Sequence, residues 1–387
     1  MKYKLLIIDS HPIQYRVPLF QRLARYPQID LRVCYCSNIG VTEYLDKGFG
    51  LNLKWDIPLL EGYRYEFLNN YSLFPPTNKP WGLFNPSVLS KLKKRKYDAV
   101  LIYGYLFLTN WLVSLAYCLR EIPVILAGET LLFRRPGFVK KSLLRLFLKN
   151  IQACLYEGNK SLEFYKYFKI SEKELFFLPC CVNNDFFITE VDKWQGMKEI
   201  MKRDNSIPRD FPVILYASKL IPRKRPLDLL KAFTELQTKA ALIFVGDGEL
   251  KPSLRDYADK HQIKNVFFPG FKNQSELPYY YAIADMFVLP SAYEPWGLVI
   301  NEAMCAKLPI ITTDKVAAAY DLVKEGKNGY VLKVGDIESL RKSLEILVLE
   351  ANRRSEMGSE SFKIISGWNY DLCIQGIIKA LEFVNKP

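Results

Sequence analysis

The chain is poor in the residues that staple or metallate a fold. It holds 8 cysteines and 2 histidines, His11 and His261, in 387 residues. No Cys-x-x-Cys occurs. Cys34 and Cys36 share one strand-like run, Cys180 and Cys181 are adjacent, and the other four are scattered among apolar neighbours. This pattern assembles no ordinary zinc site and fits free, buried thiols. Asp-x-Asp is also missing, so no paired acidic motif stands ready to clamp a divalent cation. No apolar run reaches the roughly 18–20 residues of a membrane helix. The longest, 105–117, is broken by Thr109, Asn110 and Ser114. The opening MKYKLLIIDSHP lacks the apolar core and small-residue cleavage site of a secretory signal, so a cytoplasmic protein is expected. There are no internal repeats and no low-complexity tract.

What is present is length, apolar content and positive charge. A chain of 387 residues exceeds one ordinary core and predicts two domains. The apolar share, 49%, is that of a globular protein. Most of the net charge of +13 falls within the first 190 residues. It is densest at KLKKRK, residues 91–96, and over 134–149. Such a field attracts lipid head groups, diphosphates or nucleic acid.

Strand and helix signals alternate through both halves. The first half predicts strands at 3–9, 30–35, 98–103, 124–127, 153–157 and 175–178, with helices at 17–25, 110–119 and 138–151. Residues 38–86 read as loops or a lid. The second half predicts strands at 212–217, 241–245, 266–268, 285–289 and 309–312, with helices at 226–237, 276–283 and 301–306 and from 249. Repeated βα units imply parallel sheets covered by helices, an α/β fold that binds ligands beyond the carboxyl ends of its strands. We divide the chain into an acceptor-side domain at 1–190, a linker at 191–211, a second domain at 212–369, and a C-terminal helix at 370–387 that returns to the first domain.

Three segments carry chemistry, each at a strand's end. SKLIPRKRP at 218–226 places Lys219, Arg223, Lys224 and Arg225 after one strand, where cations neutralise an anionic ligand. Gly246-Asp247-Gly248 follows AALIFV, and its glycines permit close backbone approach. SAYEPWGLVINEAMCA at 291–306 sets Glu294 and Glu302 eight residues apart around a turn that leads into a helix. Alone, each also reads as a solvated loop, an ordinary turn or a helix-start carboxylate. In one βαβ series they converge on one crevice.

Together with IFVGDGEL at 243–250, VFFPGF at 266–271 and YYAIADMFVLPSAYEPWGLVINEAMCAKLPII at 280–311, these segments resemble the nucleotide-sugar domain of retaining glycosyltransferases of family 4. That resemblance implies the GT-B fold, two facing Rossmann-like domains. It also implies transfer of a hexose-type sugar from a UDP- or GDP-sugar, with retained anomeric configuration, no cofactor and no metal. It places Lys219 and Lys224 on the donor diphosphate, Glu294 on the donor sugar and Glu302 on ribose hydroxyls. Backbone amides of Trp296, Gly297, Leu298 and Val299 would lie on phosphate oxygens, Gly246 and Gly248 in the donor turn, and Phe271 along the base. The chain departs from the family pattern where Ser218 and Arg225 replace glycines and Lys219 replaces an arginine, which loses the bidentate fork. An Asn at 183 stands for the family's Asp.

In the first half, HPIQYR follows the first strand. His11 is expected to orient acceptor or donor sugar, and Gln14, Glu129 and Arg134 to lie on the acceptor side; a packing or capping histidine is the alternative. Residues 138–151, FVKKSLLRLFLKNI, carry Lys141, Arg145 and Lys149 at four-residue spacing, largely opposite Leu143, Leu144, Phe147, Leu148 and Ile151. That pattern fits a peripheral helix on an anionic membrane surface, or a helix packed on its own sheet with a solvated basic face. The expected acceptor is a glycan or lipid-linked glycan, as in cell-surface polysaccharide or lipopolysaccharide synthesis. A nucleotide-sugar 2-epimerase of the same fold and a non-enzymatic basic nucleotide- or nucleic-acid-binding protein are the competing readings. The basic residues lack the interleaved aromatics of an RNA module, so no nucleic acid is expected.

Overall fold

A computed structural model of the chain describes residues 2–73, 79–93, 96–128, 130–133 and 135–386, with the side chain of Tyr117 left aside. Two compact units emerge. The first gathers Met1–Tyr44, Pro58–Cys180 and Tyr370–Pro387, and the second Leu45–Ile57 and Cys181–Asn369.

In chain order the strands are β1 (Tyr3–Asp9), β2 (Ile29–Tyr35), β3 (Tyr44–Asp46), β4 (Leu51–Leu53), β5 (Tyr65–Phe67), β6 (Ala99–Tyr103), β7 (Val124–Ala127), β8 (Ala153–Tyr156) and β9 (Leu175–Phe177). There follow β10 (Val213–Ala217), β11 (Ala241–Val245), β12 (Val266–Gly270), β13 (Met286–Leu289), β14 (Ile310–Thr313) and β15 (Gly329–Leu332). The first unit's seven-stranded sheet runs β5-β2-β1-β6-β7-β8-β9, and the second unit's six-stranded sheet β12-β11-β10-β13-β14-β15. Neighbouring strands in both are parallel. VILYA of β10, ALIFV of β11 and MFVL of β13 are buried along their whole length. Helices cover both faces of such strands, which is why they read as continuous apolar runs rather than alternating ones. This is the α/β architecture expected from the alternating signals.

The order of each sheet reverses once, between β1 and β6 in the first unit and between β10 and β13 in the second. The loops that leave the two central strands there emerge at the strands' carboxyl ends, where open α/β sheets bind their ligands.

The expected linker is not a linker. Residues 184–204 form helices Asn184–Asp192 and Lys198–Asp204 of the second unit. Their buried side is sparse but definite: Phe187 lies edge-on to Tyr281, Met201 is buried, and the Asn184 amide donates to the carbonyls of Ile365 and Trp368 at 3.0 and 3.1 Å. The exposed polar remainder imitates a linker composition. The 38–86 stretch is likewise split, with 45–57 grouping with the second unit rather than the first.

The helix Tyr370–Val384 packs on β8, β9 and the Val17–Arg25 helix of the first unit. The Tyr370 hydroxyl donates to the Tyr15 carbonyl at 2.7 Å and the Cys373 thiol to Pro179 O at 3.2 Å. Gly376 permits this approach, because a Cβ there would stand 1.8 Å from Phe177 O. We therefore expect Gly376→Val to lower unfolding stability by about 1–3 kcal/mol, the usual range for an overpacked contact. Chemical denaturation reads this, and an unchanged midpoint would contradict the packing.

Candidate functional site

The β10–β13 pairing sets two loops side by side. The first, after β10, ends in the 3-10 turn Pro222–Lys224. The second, after β13, carries Ser291 and Glu294. Lys224 Nζ donates to Glu294 Oε1, and Ser291 Oγ donates to the same oxygen at 2.8 Å. Glu294 is buried and Lys224 partly so, with side-chain exposures of 5% and 12%. Burial pushes the Lys224 ammonium pKa down while Glu294 opposes that shift, and down is the net direction. The loops are also stitched through the backbone. Ala292 N–H donates to Arg223 O at 2.8 Å, and the Arg223 guanidinium donates to Tyr293 O at 3.2 Å. Glu294 is fixed by its own N–H on Lys315 O at 2.9 Å and by its O accepting from Ala317 N–H at 3.3 Å. Arg225, which replaces a family glycine, is left-handed at φ 52° and pairs with Asp228. The family's glycine follows from this conformation.

The Gly246-Asp247-Gly248 turn lies against the same loop. Gly246 has φ 138° and Gly248 φ 148°; a Cβ would meet Ser218 O at 2.0 Å and Leu220 O at 2.6 Å. These glycines therefore bring two backbones together, whatever else they contact. Lys219 Nζ is 2.7 and 2.9 Å from the two oxygens of Asp46, and Phe271 meets the ring of Phe49.

Glu302, expected on ribose hydroxyls, stands on the Val299–Cys305 helix. It is 7% exposed and accepts a hydrogen bond from the Tyr281 hydroxyl at 2.6 Å. Burial raises its pKa to about 7, with the Tyr281 bond opposing. Trp296, buried, donates to Asn301 Oδ1 at 2.9 Å and stacks on Trp368, so the turn before the Val299–Cys305 helix is rigid. Gly297, at φ 101°, and Leu298 lead into that helix, whose first amides have no acceptor one turn earlier within it.

Within the first unit His11 and Gln14 follow β1, both half-buried. Ser10 Oγ lies 2.9 Å from His11 Nδ1, and burial lowers the His11 pKa, so the ring is neutral at pH 7. Arg16 donates to Asp9 at 2.7 Å and lies over the Tyr103 ring at 4.1 Å. Glu129 and Arg134 fall outside the described residues.

Sequence reading missed Ser291, Tyr281, Asp46, Asp9 and Arg16. Ser291 and Asp9 had a signal, since each stands at or just beyond the end of an identified strand. Asp46 had none.

Chemically, the second unit offers two lysines, a buried carboxylate and a helix start at one sheet reversal. That set suits an anionic ligand bearing hydroxyls. Residues 197–363 match the model of the glycosyl transferases group 1 family. Sulfoquinovosyl transferase SQD2 of Arabidopsis thaliana is 30% identical over 150 residues, 38% of this chain and 28% of that protein. The lipopolysaccharide core biosynthesis glycosyltransferase LpsE of Rhizobium meliloti is 27% identical over 161 residues, 41% of this chain and 46% of that protein. The chain thus spans less than half the length of these curated relatives. Among solved structures, Anabaena HepE in complex with UDP superposes with a TM-score of 0.74 at 18% identity, over 99% of this chain and 100% of that one, a likeness of fold.

The Glu302 environment has a pH signature. Its folded pKa of about 7 exceeds the ordinary value of 4.5, so between those values the folded form holds a proton that the unfolded form has lost. The contribution of this group to stability is therefore greatest below pH ~4.5 and declines up to pH ~7. Glu302→Gln should flatten that part of the melting-temperature profile; an identical slope in the variant would contradict the assignment.

Proposed function

We propose that the chain is a retaining, metal-independent glycosyltransferase that moves a hexose-type sugar from a UDP- or GDP-sugar to a glycan or lipid-linked acceptor. The observation that carries this is the Lys224–Glu294–Ser291 cluster, buried at the β10–β13 reversal beside Lys219.

Lys219 and Lys224 supply the positive charge that a departing diphosphate requires, in the place a divalent cation would otherwise take. Lys224 spans both parts of the donor. Paired with Glu294, it binds the phosphate anion on one side and the carboxylate on the other. Glu294, oriented by Ser291 and fixed by its backbone bonds, accepts from hydroxyls of the donor sugar. The amides at Gly297, Leu298 and Val299 receive phosphate oxygens. The acceptor attacks from the face the diphosphate leaves, and the leaving phosphate takes its proton, which retains the anomeric configuration. Gly246 and Gly248 hold the donor loops together, and Trp296 braces the turn. Glu302 supports the site through Tyr281 and contacts ribose hydroxyls when ionised. The UDP bound by HepE and the lipopolysaccharide role of LpsE support the choice of donor and acceptor classes.

His11 and Gln14, at the carboxyl end of β1, are assigned to sugar or acceptor hydroxyls. The Phe138–Leu148 helix buries Leu144, Phe147 and Leu148 but leaves Phe138, Val139, Leu143 and Leu146 exposed. Leu143 is thus not on the packed face. The exposed apolar residues are interleaved with exposed Lys140 and Arg145, which supports a peripheral role on an anionic membrane. Among the described residues no helix is long and apolar enough to cross one.

Glu294→Ala should reduce acceptor-dependent release of nucleotide by about 10²-fold or more, in the range of lost transition-state contacts. Near-normal turnover would refute the role. Conversion of the sugar nucleotide into an epimer without net release of nucleotide would point to the 2-epimerase chemistry instead. Sedimentation with vesicles containing phosphatidylserine should be strong at low salt and weaken as salt rises; none at any salt would remove the membrane from the proposal.

A further inference from the structure

The residues assigned to the donor's diphosphate and base are both covered by one short segment of the second unit. Between β3 and β4 the chain reverses over residues 47–50, with Gly50 N–H donating to Asp46 O at 2.8 Å. At this tip the Asp46 carboxylate holds Lys219 through both oxygens, at 2.7 and 2.9 Å. Lys219 Nζ also lies 4.7 Å from the centre of the Phe49 ring. That ring meets Phe271 edge-on, with centroids 4.9 Å apart. An anion thus sits on the diphosphate cation and an aromatic ring on the base-side ring. The anion is preorganised, since Asp46 Oδ1 also accepts from the amides of Gly48 and Phe49 at 2.8 and 3.0 Å. Burial acts to raise the Asp46 pKa, yet Lys219 and these amides together hold it below the usual carboxylate value. Gly48 is packed close, because a Cβ there would stand 2.8 Å from Lys219 Cδ.

The root of the segment is held separately. Asn273 donates to Lys54 O at 2.7 Å, Ser275 N–H donates to Asp56 at 3.2 Å, and Ser275 Oγ donates to the same carboxylate. The tip can therefore leave Lys219 and Phe271 while the root stays attached.

We propose that residues 46–50 act as a built-in substitute for the donor, with Asp46 standing for phosphate and Phe49 for the base, and that an incoming nucleotide diphosphate must displace them. This rests on the donor site proposed above and adds a determinant of specificity. A ligand carrying both a diphosphate and a base replaces both contacts. Inorganic pyrophosphate replaces one and leaves Phe271 covered by Phe49. The segment thereby favours the whole nucleotide over its fragments.

The test is calorimetric titration of the full chain with UDP, GDP and pyrophosphate, on wild type, Asp46→Asn and Phe49→Ala, with melting temperatures to verify folding. Asp46 and Lys219 form a partly exposed pair, so Asp46→Asn should tighten both the preferred nucleotide and pyrophosphate by about three- to fivefold. Phe49→Ala should tighten the nucleotide more than pyrophosphate. Hydrogen exchange in wild type should quicken at the Gly48 and Phe49 amides when nucleotide is added. Nucleotide binding that is unchanged or weaker in Asp46→Asn overturns the displacement and makes the tip either idle or part of the bound state. Failure of UDP and GDP to bind any of the three folded proteins defeats the donor reading itself, and the displacement with it.

Discussion

The second unit's chemistry depends on the adjacency of β10 and β13. Their parallel register, Ile214 against Met286 and Leu215 against Phe287, is set in the middle of an apolar sheet and has no polar content. Yet it decides which two loops meet. Lys224 and Glu294, seventy positions apart in the chain, become a buried ion pair because two strands with other strands between them in sequence lie side by side. A lone buried ammonium or carboxylate would be strongly disfavoured. Each therefore needs the other.

The surroundings serve that constraint. The stitched backbones of 223 with 292–293 and of 294 with 315–317 hold the loops that carry the ion pair in position. Gly246 and Gly248 permit the contact of a third loop with the first. Trp296, held by Asn301 and Trp368, sets the entry to the helix that carries Glu302. The left-handed Arg225 shows the chain accepting a conformation that glycine would adopt more readily, with Asp228 as partner for its side chain.

Much of the fold was legible because parallel strands buried on both faces leave unmistakable apolar runs. β1, β7 and β11 fall at the expected bounds, as does the helix Val17–Arg25. The 191–211 region misled because its helix Lys198–Asp204 buries Met201 and Lys202 and leaves most of its other residues exposed. β15 escaped notice because GYVL is short and begins with glycine. At the site, Lys219, Lys224 and Glu294 were legible as charges at strand ends, a matter of local sequence. Their partners depended on distance along the chain. Tyr281 reaches Glu302 across 21 positions and Asp46 reaches Lys219 across 173, and no local pattern marks either. The burial that raises the Glu302 pKa is likewise a property of packing, invisible in a helix-start carboxylate.

The central claim is that Lys219 and Lys224 grip the diphosphate of a sugar nucleotide at this sheet reversal. Thermal shift with UDP-, GDP-, ADP- and dTDP-sugars addresses it most directly, because a ligand that binds only the folded chain raises its melting temperature. At least one of the four should stabilise wild type, and that gain should vanish in a folded Lys219→Ala/Lys224→Ala double variant. A shift from none of them, or one that persists undiminished in the double variant, would contradict the account.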